Sequence, residues 1–397
     1  MTMIISKQIS CFTLLTFLIF SLHSIAQDSQ NQDLTNATFG KGLINRYAKD
    51  STWYTKIAFR FQTQYEGIST TGEIGSTDPT YTDRFRVRRA RIKGSGWATK
   101  SKKWAYKFEY DVHNGFVLDA VLKYNFAPGW QIWFGQTKLP GNMERIISSQ
   151  KLQLVDRSLL NSRFTLDRDA GFQLHHSHSL KSNFVIVEKL AFSQGEGLNQ
   201  TGASQGHSYT GKVELFPFGK FKSYISSDLR RNQSPKLMIG LVYDYNSKAE
   251  RARGQGGDYL SETRNLETIF AEAHFKYKGI SFMSEFVNRR CTDESPIVDG
   301  LFNLDGILIG ANETFYTGQA INVQLGYLYS NMWEVAGRFT RVNPEEITFI
   351  PQQTHYTIGV SKYIVGHNLK IQGDMSLLQT EGDKNQVVFR LQTEFNF

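Results

Sequence analysis

The C-terminal segment, residues 386–397, alternates strictly between apolar and polar side chains and ends on an aromatic residue. Successive side chains of a β-strand point to opposite faces, so this strand has one apolar face and one polar face. Such a strand separates an oily environment from an aqueous one. The apolar set is Val387, Phe389, Leu391, Phe395 and Phe397, and the polar set is Gln386, Arg390, Gln392, Glu394 and Asn396.

Residues 1–26 have the features of a secretory signal peptide. A short basic region precedes an apolar stretch at 11–20, and small residues at 24–26 suit a cleavage site. The apolar stretch is too short for a membrane-spanning helix. Residues 27–50 then form a polar N-terminal segment. An export signal followed by a terminal alternating strand predicts a β-barrel in the bacterial outer membrane, with lipid outside and an aqueous lumen inside.

The composition supports this class. No apolar run reaches the roughly 18 residues of a transmembrane helix. The chain has 29 Phe and 18 Tyr, the residues that form aromatic girdles and β-rich surfaces. Cys291 is the only cysteine after the predicted signal peptide, so no internal disulfide can form. We therefore predict an all-β fold, a transmembrane antiparallel β-barrel over residues 51–397.

Alternating segments recur along the chain and predict sixteen strands, an even number that returns both termini to the same side of the membrane. A barrel of this size encloses an aqueous channel, whereas about eight strands would fill the interior with side chains. The predicted strands are 53–66, 84–97, 104–112, 116–125, 130–138, 169–177, 184–192, 209–218, 237–246, 266–277, 280–289, 319–329, 333–341, 356–364, 369–377 and 386–397.

The connections between these strands differ in length, as expected for tight periplasmic turns and longer outer loops. Residues 127–129 and 278–279 are tight turns, while 250–262 and 291–313 are long. The longest connection, 139–168, begins with Pro-Gly and contains short stretches compatible with a helix. A connection of that length is usually functional.

A dense run of basic residues lies at 84–93. The phase of alternation slips by one residue in the middle of the run, which predicts a β-bulge that keeps both basic sets on one side of the sheet. The first set is Arg84, Arg86 and Arg88, and the second is Arg89, Arg91 and Lys93.

Energetics place these six side chains in the lumen. An arginine facing lipid near the midplane costs roughly 2–4 kcal/mol, whereas like charges about 7 Å apart in water repel by only about 0.6 kcal/mol. Fixed positive charge on a channel wall attracts anions. Partial neutralisation by Glu109, Asp111 and Asp119 on neighbouring strands is an alternative reading of the run. Nucleic-acid binding is disfavoured because the strand belongs to an exported protein.

Blocks at residues 86–97, 133–140, 150–158, 168–171 and 390–392 occur in an order and spacing similar to those of a known family. By these blocks the chain resembles the phosphate-selective porin O and P family. The resemblance implies a trimeric barrel of sixteen strands whose long third loop folds into the lumen, where arginines and lysines guide anions. It also implies that the terminal aromatic residue acts as the barrel-assembly signal.

The resemblance further implies that residues 139–168 are the constriction loop of the channel. In the family an aromatic or aliphatic residue and a glycine often follow the proline of this loop, whereas Pro140 is followed here by Gly141-Asn142-Met143. The basic residues that the loop would bring into the lumen are Arg145, Lys151, Arg157 and Arg163.

We therefore predict a porin through which small anions, phosphate or polyphosphate among them, diffuse passively. Arginine suits this role because its planar fork matches phosphate oxygens. The predicted partners are small anions, outer-membrane lipid and two further copies of the chain, with no nucleic acid and no cofactor. Supplementary lumenal cations are expected at Arg60, Lys107, Arg338 and Arg390.

Other functions share parts of this pattern. A non-conducting barrel that serves as adhesin, receptor or structural anchor has the same strands, and a secreted β-sandwich also alternates. An enzyme is not expected, because the chain has no G-x-S-x-G and no other catalytic spacing. His175, His176 and His178 form a cluster that we interpret as a polar turn or lumen lining rather than a metal site.

Overall fold

The computed structural model describes residues 39–47, 52–70, 80–180 and 183–397. Its strands are β1 (Ile44–Tyr47), β2 (Trp53–Thr70), β3 (Thr80–Ala98), β4 (Trp104–Asp111), β5 (Phe116–Ala127), β6 (Trp130–Lys138), β7 (Arg168–Ser179), β8 (Val185–Ser193), β9 (Ser208–Phe216), β10 (Lys236–Arg251), β11 (Tyr259–Tyr277), β12 (Ile280–Cys291), β13 (Ile297–Phe302), β14 (Leu308–Thr314), β15 (Gly318–Leu328), β16 (Trp333–Pro344), β17 (Gln353–Val365), β18 (Leu369–Thr380) and β19 (Gln386–Asn396).

Sixteen of these strands form one closed antiparallel barrel, so the predicted fold class and strand number are confirmed. Strands next to each other in the chain pair throughout, except that β12 pairs with β15 across the β13–β14 hairpin. The ring closes where β19 pairs with β2, with Gln392 opposite Gln64. Closure removes the sheet edges and excludes a β-sandwich, which has two separate sheets.

The last strand shows how the alternation is used. Phe389 and Leu391 are 47% and 46% exposed, whereas Gln392 and Glu394 are almost completely covered. The apolar side chains therefore point outward and the polar ones point inward, the reverse of a soluble protein. This arrangement is stable only when lipid surrounds the barrel.

The predicted β-bulge is present in β3. Gln62 of β2 lies opposite Arg89 and Thr63 lies opposite Val87, so Arg88 has no partner in the register. The bulge restores the phase, and both basic sets point into the barrel interior.

We call the two ends of the barrel the loop end and the turn end. The loop end carries the β4–β5, β6–β7, β8–β9, β10–β11, β12–β15, β16–β17 and β18–β19 connections, and the turn end carries the β3–β4, β5–β6, β7–β8, β9–β10, β11–β12, β15–β16 and β17–β18 connections. Most turn-end connections are short, as predicted. The exception is the β9–β10 connection, residues 217–235, which sequence reasoning did not single out.

The remaining elements are few. Helices α1 (Met143–Ile146) and α2 (Leu159–Phe164) lie in the β6–β7 connection together with a 3₁₀ turn at Ser149–Lys151. A second 3₁₀ turn, Glu346–Thr348, lies in the β16–β17 connection. None of the helices within the described ranges has the length and apolarity of a membrane span. The predicted signal peptide, residues 1–26, lies outside the described residues. In the predicted polar segment 27–50, the structure shows β1 paired with β2.

Candidate functional site: the passage through the barrel

The β6–β7 connection, residues 139–167, lies inside the barrel and is held against one wall. Its backbone N–H groups donate to carboxylates that project from the inner faces of β11, β12 and β18. Buried hydrogen bonds to charged acceptors are among the stronger ones in proteins. The pairs are Met143 N–H to Glu272 at 2.6 Å, Glu144 N–H to Glu285 at 2.8 Å and Val155 N–H to Asp374 at 2.9 Å.

Apolar side chains of the loop pack on the same wall. Each large apolar side chain that is fully buried contributes about 1.5–3 kcal/mol, so the loop is fixed by packing as well as by hydrogen bonds. One cluster joins Leu160, Phe164 and Leu166 to Val242, Phe270 and Val287. A second joins Met143, Ile147 and Leu152 to Phe216, Met238 and Met283.

The space that the loop leaves open is lined mainly by the inner faces of β3 to β9. Two cavities of about 410 and 390 Å³ lie on the loop-end side and share Arg88, Arg89, Arg145 and Arg157 as lining residues. A third cavity of about 550 Å³ lies on the turn-end side. It shares Lys107, Lys138 and Ile146 with the second cavity, so the three cavities adjoin one another, and we call them together the passage.

We call the two loop-end cavities the arginine half and the turn-end cavity the lysine half. The lining of the arginine half includes Arg88, Arg89, Arg91, Arg145, Arg157, Arg168 and Arg253. The lining of the lysine half includes Lys107, Lys123, Lys138, Lys151, Lys189, Lys220 and Lys222, and none of its described lining residues is an arginine.

The first three residues of the predicted basic run approach the passage from the loop end. Arg84 and Arg86 bind Glu66, and Arg86 also donates to Gln64 at 2.8 Å. Arg88, the bulged residue, reaches across the passage to Asp156 of the loop at 3.4 Å. The bulge therefore marks the point where the β3 wall and the loop first contact each other through charged side chains.

The next three residues continue along the wall. Arg89 donates to Gln62 at 2.7 Å and lies 3.8 Å from Asp156. Arg91 binds Glu109 at 3.0 Å and Asp111 at 3.1 Å. Lys93 donates to Gln150 at 3.2 Å and does not line any of the three cavities.

These partners decide how far the basic run is neutralised. The six basic residues contact four acids, namely Glu66, Glu109, Asp111 and Asp156. Glu66 and Asp156 are also shared with Arg390, and Glu109 with Lys107. Neutralisation is thus partial, and a positive excess remains. Asp119, an expected partner, binds Lys107 and Arg168 instead.

Charged residues of the loop face the wall across the passage. The guanidinium of Arg145 binds Asp167, and Arg157 donates to the carbonyls of Glu144 and Ile147 at 2.9 and 2.6 Å. Burial lowers the pKa of Arg157 to about 10, so it is charged at neutral pH.

Asp156 is the acid of the loop that faces the basic run. Its burial acts to raise the pKa, but the guanidinium groups of Arg88, Arg89 and Arg390 outweigh this and lower the pKa to about 2. The carboxylate is therefore charged at every pH at which the protein is expected to work.

The other two basic residues predicted in the loop lie elsewhere. Lys151 lines the lysine half, where burial and the nearby Lys222 lower its pKa. Arg163 donates to Gln353 at 3.0 Å and lies 5.8 Å from the ring centre of Tyr316. It lines none of the three cavities.

The supplementary cations divide into two groups. Arg60 is fully buried and binds Glu394 of the wall at 2.6 Å. It also donates to Ser149 of the loop at 3.0 Å, so it fixes the loop to the wall. Arg338 likewise donates to the backbone carbonyl of Asp156 at 2.8 Å. In contrast, Lys107 lines both halves of the passage, and Arg390 joins Glu66 and Asp156 beside the basic run.

The sequence matches the model of one protein family along most of its length. A model of the family described as Phosphate-selective porin O and P matches residues 55–397. The chain belongs to this family. The protein is thus a porin of the bacterial outer membrane, and porins are channel proteins rather than enzymes. No curated protein matches the chain by sequence.

Solved structures with the same fold are distant in sequence. Salmonella typhi OmpF in complex with daunomycin is 11% identical, with a TM-score of 0.55 over 89% of this porin and 100% of that chain. The anion-selective porin from Comamonas acidovorans is 10% identical, with a TM-score of 0.52 over 87% and 100%. The trimer form of Vibrio cholerae OmpT is 11% identical, with a TM-score of 0.51 over 86% and 99%. At these identities the likeness supports the fold alone.

Sequence reasoning missed the part of the porin that closes the lysine half from the turn end. Residues 217–235 fold back into the barrel, where Ser226 N–H donates to the Lys151 carbonyl at 3.1 Å. Lys276 of the wall donates to the carbonyls of Ile225 and Ser227 at 2.6 and 2.9 Å. This segment brings Lys220 and Lys222 to the passage. The sequence signal that could have revealed this segment is its length, because it connects two strands at the turn end, where the other connections are short.

Sequence reasoning also missed two cations at the junction of the halves. Lys138 ends β6 and donates to the last carbonyls of α1, at 2.6 Å to Arg145 and 3.0 Å to Ile146. Arg168 begins β7 and binds Asp119 at 3.1 Å. Both flank the loop in the chain, so their positions as loop anchors could have been inferred from the boundaries of the connection.

The histidine cluster lies on β7, where alternate residues face opposite sides. His175 points into the lumen, donating to or accepting from Gln173 at 2.9 Å and stacking on Trp133 at 4.1 Å. His176 and His178 point outward instead, on the face that carries the exposed Phe172. The lumen-lining interpretation therefore fits only the first of the three.

Proposed function

We propose that this outer-membrane porin passes small anions, phosphate or polyphosphate among them, by passive diffusion through the passage between the inner faces of β3 to β9 and the inward loop. The observation that supports this most strongly is the positive excess along the whole passage. Seven arginines in the arginine half are followed by seven lysines in the lysine half. A channel wall of fixed positive charge concentrates anions and repels cations.

Free donors support the phosphate preference. Arg88, whose side chain is 33% exposed, contacts Asp156 through one terminal nitrogen. A guanidinium has five N–H donors in a fixed fork, so an arginine that is already bound to a carboxylate can still donate to a phosphate oxygen. The family description also names phosphate.

Several moderate sites suit passage better than one tight site. The two halves share Lys107 at their junction, where it lies 2.9 Å from Asp119 and 3.4 Å from Glu109. An anion that leaves the arginine half therefore meets a cation that is partly balanced by acids. Such a step limits residence at any one position and allows the ion to move on.

Export and assembly complete the proposal. Residues 1–26 are removed as a signal peptide, and three copies of the barrel associate in the membrane. One of the porins with the same fold was solved in a trimer form. Sedimentation of the purified protein in detergent tests this part, since a monomeric mass under conditions that keep the barrel folded contradicts it.

The channel proposal is tested by planar-bilayer recording. With potassium chloride or potassium phosphate in a gradient, the reversal potential should show that anions carry most of the current. A variant with Arg86, Arg88, Arg89 and Arg91 changed to Gln should lose or reverse this selectivity while the barrel still assembles. Unchanged selectivity removes the basic run from the mechanism. A complete absence of current favours the non-conducting adhesin, receptor or anchor.

A further inference from the structure

A polar cluster lies on the outer face of the barrel near the turn end, where His176 also borders the mouth of the lysine half. His176 of β7 lies directly opposite Glu188 of β8, and His178 lies opposite Ile186, the next outward position. All three polar side chains share the face that carries the exposed Leu190. Directly opposed residues on neighbouring strands have Cβ atoms about 5 Å apart, and diagonal pairs remain within reach.

The ligand atoms of this cluster converge. Nδ1 of His176 is 2.9 Å from Oε2 of Glu188, and Nδ1 of His178 is 3.5 Å from the same oxygen. The three ligand atoms all lie within 4.8 Å of one another. Nδ1 of His178 is buried and has no hydrogen-bond partner among the described residues. One imidazole is therefore paired with the carboxylate, and the other points at the pair without a hydrogen bond.

The position of the cluster makes its composition unusual. Outward positions of a barrel contact lipid, where polar and ionisable groups are unfavourable and are retained when they have a function. The ring of His176 stacks on Trp130 at 4.0 Å, and a tryptophan at this level is typical of the membrane interface. The cluster lies near the turn end, where β7 ends at Ser179. An ion in the adjacent aqueous phase can therefore reach it.

We propose that His176, His178 and Glu188 bind a divalent transition-metal ion such as Zn²⁺, Cu²⁺ or Ni²⁺. Two imidazole nitrogens and a carboxylate oxygen form a ligand set that these ions prefer. In a tetrahedral zinc site, bond lengths of about 2.0–2.1 Å place the ligand atoms about 3.3 Å apart. The two distances from the histidine nitrogens to the Glu188 oxygen, 2.9 and 3.5 Å, bracket that value, and the two nitrogens lie within 4.8 Å of each other.

The ion would take its fourth ligand from water at the interface. The side chains of His176, His178 and Glu188 are 23%, 35% and 38% exposed, which leaves one side of the cluster open. The bound ion connects β7 to β8 next to their turn. Because metal binds the folded site and has no comparable site in the unfolded chain, binding raises the temperature at which the barrel unfolds.

The test uses the mature porin in detergent, prepared without a polyhistidine tag and treated with a chelator. Titration with Zn²⁺ by calorimetry should show one site per chain. His176→Gln, His178→Gln and Glu188→Gln should each weaken binding by at least about tenfold, since loss of even an outer-shell partner of a metal ligand costs that much. His175→Gln is the matched control, because it removes a histidine from the same run on the opposite face.

Two results overturn the proposal. One is the absence of zinc binding by the unmodified porin, and the other is equal weakening by His175→Gln and His178→Gln. Heat-modifiable gel migration shows whether each variant is folded. For a variant that does not assemble, Cu²⁺ bound to the unmodified porin provides the second measurement. Its electron paramagnetic resonance spectrum should show hyperfine coupling to two nitrogen ligands, and coupling to none contradicts the site.

Discussion

The arginine half and the lysine half of the passage carry similar numbers of cations but hold them differently. In the arginine half, Arg91 is bound by two carboxylates of the wall, and Arg145 is bound by Asp167 of the loop. In the lysine half, Lys220 and Lys222 are exposed, and Lys123 lies 3.5 Å from the ring centre of Trp133. One half presents guanidinium forks held by acids, and the other combines bound lysines such as Lys107, Lys138 and Lys189 with the exposed, flexible ammonium groups of Lys220 and Lys222.

This difference suggests a division of work. A planar guanidinium held by a neighbouring acid keeps its remaining donors in one orientation, so it can distinguish phosphate from a spherical ion. An ammonium on a flexible stem attracts any anion and imposes little geometry. We therefore expect the arginine half to determine which anion binds, and the lysine half to determine how readily anions enter or leave at the turn end.

The largest expected effect comes from neutralising three cations in each half. Arg88, Arg89 and Arg91 are changed to Gln in one variant, and Lys123, Lys220 and Lys222 in the other. Phosphate added to a chloride solution should inhibit chloride current. Loss of one or two charge-assisted hydrogen bonds, worth about 1.5–3 kcal/mol each, raises the inhibition constant at least about tenfold in the arginine variant.

The lysine variant serves as the matched control, because it removes the same charge. Its inhibition constant should change by less than about fivefold, since charges at exposed or half-buried positions contribute about 1 kcal/mol or less. Equal changes in the two variants contradict the division of work and leave net charge as the only determinant. Both variants must first show heat-modifiable migration, which confirms that the barrel has assembled.

A smaller effect on phosphate preference is expected when arginine is replaced by lysine, which keeps the positive charge but removes the planar guanidinium. Arg88→Lys with Arg89→Lys retains two positive charges next to Asp156 but loses the bidentate geometry. The ratio of anion to cation permeability should change by less than about twofold, because it depends on charge. The preference for phosphate over chloride should fall about three- to tenfold, the equivalent of one ordinary hydrogen bond of about 0.6–1.4 kcal/mol. Reversal potentials in mixed chloride and phosphate solutions give both ratios.

If the phosphate preference survives this double substitution, the guanidinium geometry has no role. Lys123→Arg is the complementary control in the lysine half. It adds a fork where the passage lacks one, and the neighbouring Trp133 ring can accommodate a guanidinium as well as an ammonium. We expect little change in phosphate preference from this substitution, because no acid holds the new side chain in place.

The barrel was predictable because lipid imposes a simple rule on every strand. Outward residues must be apolar and inward residues need not be, so each of the sixteen wall strands carries its own signal. The elements that were missed lack this constraint. The β13–β14 hairpin lies in the β12–β15 connection outside the wall, and its strands pair with several register shifts. β1 is only four residues long.

The site was predictable to the extent that it lies on the wall. The phase slip at Arg88 is visible in the sequence. Because exposing arginine to lipid is costly, the basic side chains must point into the lumen. The inward fold of residues 217–235 depends instead on Lys276, whose ammonium binds carbonyls of that segment. Arg60 and Arg338 share the inward pattern of the lumenal cations, yet contacts with the loop bury them. Such long-range contacts leave no local pattern.

Substitution of Asp156, the acid that faces the basic run, is expected to strengthen phosphate inhibition, whereas the arginine substitutions weaken it. Asp156→Asn keeps the shape of the side chain but removes the negative charge next to Arg88, Arg89 and Arg390. The freed guanidinium groups should tighten phosphate inhibition of chloride current about two- to threefold, less than one strong hydrogen bond. The backbone bond from Arg338 is unaffected by the substitution, so the loop should stay in place.

Asp167→Asn is the control for this substitution, because its carboxylate binds Arg145 and Arg168 rather than the basic run. Lowering the pH from 7 to 4 should not reproduce the Asp156→Asn effect through this residue. The pKa of Asp156 is about 2, below the ordinary value of 3.8, so its carboxylate stays charged between pH 7 and pH 4. Weaker phosphate inhibition in Asp156→Asn shows that the acid orients the arginines more than it neutralises them.

The smallest effect is expected from the exposed cations of the lysine half. Lys220→Gln with Lys222→Gln should lower the single-channel conductance by less than about twofold in 0.1 M salt and by nothing measurable in 1 M salt. The Debye length falls from about 10 Å to about 3 Å between these concentrations, so charges that act through water are screened. By contrast, phosphate inhibition in Arg88→Gln should remain weakened in 1 M salt. We expect the guanidinium that this variant lacks to contact phosphate directly, so salt does not screen its loss. A conductance loss in the lysine variant that persists in 1 M salt means that the 217–235 segment narrows the passage sterically, and the two halves then differ in shape as well as in charge.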